Sequence, residues 1–396
     1  MKNNLLPTDI LLPKKHFEAW SCIACDQYTS EPEYWQETLA CAKDFPSALK
    51  IILPEVNLKD DNSKEIAEIN ATMLKYLDND VFNVIENSVI FTKRVLKNGA
   101  VRNGLVGLID LEDYSYEKGA KTAIRATEAT VIERIPPRVK IRKDAAIEIP
   151  HIMLLIDDPE KTVIEPIADS TNNMEKLYDF TLMQNAGSIS GYKLTDSMLA
   201  NANNALNSLK ENSIDGLLYA VGDGNHSLAT AKECYKQGTG SRYALVEIVN
   251  IHDKSLEFEP IYRILFGVQP EKVIADFVDW CGGDYIGTDA QKFTCVFGEK
   301  EKEISVKSHG TLCVATLQTF LDEYLKDKNA TLDYIHGIES TKNLARRDNA
   351  LGFIFTGMEK ADLFPAVSKD GSLPRKTFSM GCADDKRFYL EARKIK

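Results

Sequence analysis

Residues 219–231, Tyr-Ala-Val-Gly-Asp-Gly-Asn-His-Ser-Leu-Ala-Thr-Ala, constrain the fold more tightly than any other stretch of the chain. The apolar run at 216–221 predicts a strand entering the interior, and the Gly222-Asp223-Gly224 segment predicts a sharp turn. Residues 227–235 predict the helix that follows. The first turn of a helix carries backbone N–H groups without intrahelical acceptors and a positive partial charge. A strand–glycine–helix junction is therefore a ready phosphate site. This one also carries an acid (Asp223), an amide (Asn225) and an imidazole (His226), which a purely structural turn does not need.

The chain has 396 residues, enough for one large or two ordinary domains with a sizeable core. A net charge of −11 and a pI near 5.2 would repel a polyanion, so nucleic acid is a disfavoured partner. Residues 1–13 hold no apolar signal core, and no apolar run approaches the about 18 residues that a membrane helix requires. A cytoplasmic protein with no membrane partner is expected. Eight cysteines are scattered along the chain. Cys22 and Cys25 form one C-x-x-C, but His16 and Cys41 complete a zinc site poorly, so ordinary thiols are expected.

Turn-rich segments alternate with apolar strands and amphipathic helices, which predicts a mixed α+β fold. Helices are expected at 33–43, 62–78, 196–209, 270–280 and 314–325, with a short one from Ser340. Strands are expected at 89–96 and 105–111, joined by the Asn98-Gly99 turn as a hairpin, and at 149–156, 293–297, 304–307 and 350–356. The texture changes after Phe266, so the expected division is a main α/β domain over 1–266, carrying the glycine loop, and a smaller C-terminal α/β region over 267–396.

Two further polar constellations stand out. Residues 121–142 concentrate Lys121, Arg125, Arg134, Arg138, Lys140 and Arg142 against Glu128 and Glu133. Such a run can be a recognition face for phosphate or carboxylate, since guanidinium forks bind both in bidentate fashion. It can equally be a solvated helix face with internal pairs such as Arg125 with Glu128. The loop Cys25-Asp26-Gln27-Tyr28-Thr29-Ser30 could hold a ligand or simply form a turn and a helix cap. His16, His151, His252 and His309 read as structural histidines, and His336 stays open. P-loop, G-x-G-x-x-G, H-E-x-x-H and G-x-S-x-G signatures are missing. A P-loop kinase, a Rossmann dehydrogenase and an α/β-hydrolase are disfavoured accordingly.

Gly222-Asp223-Gly224-Asn225-His226-Ser227 resembles the Asp-Gly-x-His-Arg segment of the bacterial family catalogued as domain of unknown function 1015. Arg125-Ala126-Thr127-Glu128 with Thr130 is similar to that family's Arg-x-x-Glu-x-Thr element. The stretches 25–30, 104–114, 134–138 and 373–378 resemble the same group, so the likeness covers nearly the whole chain. More distantly, the loop resembles the Gly-x-His-Arg turn of the ParB and sulfiredoxin superfamily, where the turn cradles nucleotide phosphates and some members are free-serine kinases. This chain has Ser227 where that pattern has arginine, and Asn225 where sulfiredoxin has its reactive cysteine.

The resemblance implies a ParB/sulfiredoxin-like mixed sheet core and a nucleotide-dependent phosphotransferase acting on a small hydroxyl metabolite, with serine or phosphoserine the best guess. ADP or ATP with Mg²⁺ would be the cofactors, and a small-molecule substrate and the nucleotide the partners. Gly222, Gly224, Asn225 and Ser227 would bind phosphates, and His226 would donate to the transferred group. Arg125 would bind phosphate or substrate carboxylate, and Glu128 or Asp223 would take the hydroxyl proton or meet the metal. Asp26, Tyr28, Thr127, Thr130, Arg134 and Arg138 are the candidate substrate contacts. The alternatives are a nucleotide-binding regulator without turnover and a metabolite-binding protein without nucleotide.

Overall fold

The computed structural model describes residues 4–23, 32–42, 44–59, 61–117, 119–128, 132, 135–381, 385 and 388–396. It separates into two compact units. The first comprises Met1–Ala126, Thr130–Leu256 and Cys382–Lys396; the second comprises Thr127–Ala129 and Glu257–Gly381. The fold is mixed α+β in both.

In the first unit, β1 (Thr8–Pro13), α1 (Phe17–Trp20), α2 (Pro32–Ala42) and α3 (Ser63–Asp78) precede β2 (Phe82–Ser88), which pairs antiparallel with β1. The strands β3 (Ile90–Val95), β4 (Val101–Asp110), β5 (Tyr114–Ser115) and β6 (Ile124–Ala126) follow. Then come α4 (Ile135–Arg142), β7 (Ile147–Glu148), β8 (Met153–Ile156), α5 (Glu165–Ala168), β9 (Glu175–Thr181) and β10 (Ser188–Lys193). The series closes with α6 (Asp196–Asn212), β11 (Tyr219–Asp223), α7 (Asn225–Lys236) and β12 (Tyr243–Asn250).

A nine-stranded mixed sheet runs in the order β5-β6-β11-β8-β12-β4-β3-β10-β9. Its central strands are apolar on both faces because both faces are covered. Leu245, Ile90 and Val106 belong to one buried cluster, and their neighbours Val246, Phe91 and Leu105 to another. Helices α6 and α7 contribute Ala202, Leu206, Leu228 and Ala231 to the second layer. The Asn98-Gly99 hairpin forms as expected: Gly99 takes φ +84° and β3 pairs antiparallel with β4.

The second unit contains β13 (Phe258–Phe266), α8 (Pro270–Trp280), β14 (Ala290–Phe297), β15 (Lys300–Lys307), α9 (Cys313–Tyr324) and β16 (Thr331–His336). It continues through α10 (Ile338–Ala345), β17 (Ala350–Phe355), α11 (Leu363–Asp370) and β18 (Phe378–Met380). Its sheet runs β15-β14-β17-β13-β16, with β18 also pairing β13. Phe277, Phe293 and Phe353 pack edge to face in its core. The chain then returns to the first unit, where β19 (Arg393–Lys394) pairs antiparallel with β7. That return is heavily buried: Trp20 Nε1 donates to Leu390 O at 3.0 Å, and the Tyr389 hydroxyl donates to Glu247 at 2.7 Å.

Two local readings of the sequence need correction. The basic run is not one helical face. Residues 124–126 form strand β6, and α4 covers Ile135–Arg142. Arg125 does not lie on a solvated surface, being only 4% exposed. The turn at the glycine loop is also tighter than expected. Strand β11 continues through Asp223, Gly224 alone makes the reversal, and α7 starts at Asn225. Asn225, His226 and Ser227 are therefore the first turn of the helix itself.

Candidate functional site

Strand β11 lies between β6, to which it is parallel, and β8, to which it is antiparallel. Tyr219, Ala220 and Val221 are sealed by these neighbours, and the pairing with β8 slips between Val221 and Asp223, where the chain leaves the sheet. Gly224 has φ +82°, a left-handed conformation that disfavours any residue with a Cβ. A Cβ there would also sit 3.1 Å from Ile152 Cα and 3.2 Å from His151 O. The absent side chain thus lets the chain just before β8 press against the turn. Asp223 Oδ1 accepts the Gly224 N–H at 2.8 Å, fixing the turn from within. Helix α7 then buries Leu228, Ala229, Ala231 and Cys234, while Thr230 Oγ1 donates to His226 O at 2.7 Å.

That close approach brings His151 to the first turn of α7, where its Nε2 and Ser227 Oγ form a hydrogen bond. Both side chains line a cavity of about 160 Å³, together with Thr230. Most of its wall is apolar, from Ile51, Leu53, Met73, Ile141 and Ile149 among others. Its charged part comes from Arg138 and Arg142, four residues apart and so on one face of α4. Helix α4 packs directly on α7. Arg138 pairs with Glu55, and Arg142 pairs with Glu148, which also receives Arg393 from β19. Burial acts to raise the Glu148 pKa, but Arg142 and Arg393 together outweigh it and hold the carboxyl below its ordinary range. The cavity therefore joins a helix N-terminus, a serine–histidine pair, two guanidinium groups and an apolar wall.

The structure brings together Gly222, Asp223, Gly224, Asn225, His226 and Ser227 at the β11–α7 junction, and places Arg138 on the adjoining cavity. It puts the Arg125 guanidinium elsewhere. Strand register sets Arg125 opposite Ala220, and its Nε and Nη2 donate to the carbonyls of Thr122 and Asp215, each at 2.9 Å. Those acceptors precede β6 and β11, whereas the loop follows β11. Thr127 and Glu128 pack with the second unit. Leu373 N donates to Thr127 O at 2.6 Å, and Lys376 N donates to the Glu128 carboxylate at 3.2 Å. Asp26, Tyr28, Thr130 and Arg134 lie outside the described residues, as does Cys25 of the C-x-x-C. Among the described residues, no group of three or more His, Cys, Asp or Glu side chains could hold a metal ion. Nor is any helix among them long and apolar enough to cross a membrane.

Sequence reasoning read His151 as structural, placed Arg142 only within the basic run, and gave Glu148 no role. Nothing local marks them: His151 and Ser227 are 76 positions apart, and only the missing Cβ of Gly224 hints that something packs there.

Comparison with solved structures finds low similarity over much of the chain. A free serine kinase in complex with AMP is 13% identical, with 74% of this chain and 91% of that chain covered and a TM-score of 0.40. A conserved hypothetical protein from Pyrococcus furiosus is 13% identical over 74% and 95%, with a TM-score of 0.37. A C-terminally truncated SbnI from Staphylococcus aureus is 8% identical over 70% and 83%, also at 0.37. No curated protein gives a significant match. The model of the family described as protein of unknown function (DUF1015) matches residues 5–335, and the chain belongs to that family.

Proposed function

We propose that the mouth of α7 holds the phosphates of a nucleotide and that the protein moves a phosphoryl group between that nucleotide and the hydroxyl of a small metabolite. The observation that carries this reading is the junction itself. An N-terminal helical turn, capped by Gly224, lies beside a cavity bearing Arg138 and Arg142. Such an arrangement suits an anion with an attached body: amides and dipole for phosphate, guanidinium groups for further negative charge, and an apolar wall for the rest. Adenosine di- or triphosphate has that composition. Serine or phosphoserine as the partner substrate follows from the likeness of residues 222–231 to the Gly-x-His-Arg turn.

Phosphoryl transfer asks mainly for positioning and charge neutralisation. In this reading the backbone of residues 224–227 positions the phosphates, and His226 donates to the transferred group. Arg138, which lines the cavity while paired with Glu55, takes the role expected of Arg125, whose guanidinium lies on the carbonyls of Thr122 and Asp215. Asp223 takes the hydroxyl proton, or joins a Mg²⁺ that depends mostly on phosphate oxygens and water for its ligands. That ion would supply further neutralisation of the phosphate charge.

The test is to incubate the purified protein with Mg²⁺, ATP or ADP, and serine or phosphoserine, following both the amino acid and the nucleotide. Formation of phosphoserine, or its loss with ADP as acceptor, is the expected result. Nucleotide binding without turnover would instead mark a regulator, and no binding at all would remove the nucleotide from the account.

A further inference from the structure

We propose that Ser227 is itself a phosphoryl acceptor, activated by His151, and that the protein works through a phosphoserine at the first turn of α7. This rests on the nucleotide-dependent phosphotransferase reading above and adds a covalent step to it.

The serine–histidine contact carries the inference. His151 Nε2 and Ser227 Oγ share a hydrogen bond on the wall of the cavity, with both side chains partly exposed to it. With His151 as the Nδ1–H tautomer, Nε2 accepts the hydroxyl proton, the arrangement by which a weak alcohol nucleophile is activated. Ser227 is the third residue of α7, so a phosphate on Oγ would sit within the first helical turn, where negative charge is favoured. Arg138 and Arg142 line the same cavity as candidate partners for its oxygens. A phosphate on Ser227 is the same class of ester as phosphoserine. Transfer from one serine hydroxyl to another is close to balanced in free energy, so the modified protein can pass its group on.

The step balances. Oγ bonds to the terminal phosphorus of the nucleoside triphosphate, while the bond from that phosphorus to the bridging oxygen breaks. The nucleoside diphosphate leaves with the electron pair, and the hydroxyl proton passes to His151 Nε2. When a substrate hydroxyl attacks the phosphoserine, the P–Oγ bond breaks and His151 returns its proton to Oγ. The incoming hydroxyl gives its own proton to Asp223, the base of the reading above.

The experiment uses the full chain with Mg²⁺ and terminally labelled ATP, first without serine. Peptide mapping after an acid quench should place the label on Ser227, and added serine should discharge it as phosphoserine. Ser227→Ala should lose the label, and His151→Gln should slow its appearance about 100-fold. Ser227→Thr, which keeps a hydroxyl, should still be labelled. ADP binding is measured calorimetrically on each protein in parallel. Wild-type protein that binds ADP and forms phosphoserine but never carries label overturns the covalent step and leaves the phosphotransferase reading standing. Label that persists in Ser227→Ala, or that serine cannot discharge, overturns it equally. Absence of ADP binding removes both.

Discussion

Replacing Gly224 by alanine should cost far more than replacing Gly99, although the two glycines have nearly the same backbone conformation. Their φ angles are +82° and +84°. A left-handed conformation costs a residue with a Cβ about 1–2 kcal/mol, and the lower entropy of the unfolded alanine chain returns about 0.4–1 of that. Gly99→Ala, whose Cβ would meet nothing within 4 Å, should therefore lose about 1 kcal/mol. At Gly224 the added carbon would lie 3.1 Å from Ile152 Cα and 3.2 Å from both His151 O and Ile152 Cγ1. Backbone atoms leading into a buried strand cannot swing aside, so an overpacking cost of about 2 kcal/mol is added, for about 3 in all. Urea unfolding followed by circular dichroism measures both variants against wild type. Gly224→Asn separates the contributions, because asparagine tolerates the left-handed region yet keeps the clashing Cβ. If Gly224→Ala proves as mild as Gly99→Ala, the chain before β8 does not press on the turn, and the placement of His151 beside Ser227 loses its cause.

Three other outcomes follow from the same geometry. Asp223→Ala and His226→Ala should each abolish phosphoryl transfer while changing unfolding free energy by about 1 kcal/mol, since both side chains are only half-buried at the β11–α7 junction; unchanged turnover in either removes it from the mechanism. Glu148→Gln should cost about 3 kcal/mol near neutral pH by leaving Arg393 and Arg142 without their carboxylate. Because the folded pKa of Glu148 is depressed, its contribution is complete above the ordinary value of 4.5 and fades as pH falls through the lower folded value. Wild type and variant stabilities should therefore converge in acid, and parallel pH profiles would contradict the pairing. Glu247 and Glu391, both buried, should respond in opposite directions. Burial works against the Glu247 charge, but Arg102 and Arg94 outweigh it, so Glu247→Gln should destabilise by about 3 kcal/mol. Burial dominates at Glu391 and raises its pKa, so Glu391→Gln should be neutral in acid and increasingly stabilising as pH rises from the ordinary value of 4.5 to the folded value, with no further gain above it; pH-scanned thermal melts would show the divergence.

The readings that survived were those in which local pattern and tertiary position agree. Residues 270–280 were legible as a helix because Pro270 opens them and Val273, Ile274 and Phe277 recur at helical spacing on a buried face. The Asn98-Gly99 hairpin was legible from turn chemistry alone. The junction at 219–231 announced itself through its glycines, although only Gly224 has the unusual backbone, and the helix begins two residues earlier than its apolar periodicity suggests. Charge misled where burial decided. Arg125 sits in a cation-rich run, and its environment is set by the carbonyls of Thr122 and Asp215, the second 90 positions away. The contact of His151 was hidden for the same reason: its partner Ser227 is 76 positions away in sequence.

The return of the chain after the second unit has a consequence for biosynthesis. Phe388, Tyr389, Leu390 and Ala392 complete a core whose other members begin at Ile10, and the whole of residues 257–381 is translated in between. A ribosome-bound chain that has finished the second unit still lacks Leu390, which accepts from Trp20, and Arg393, which joins Arg142 on Glu148. The first unit to emerge is therefore the last to close, its core incomplete until residues 388–394 have been translated.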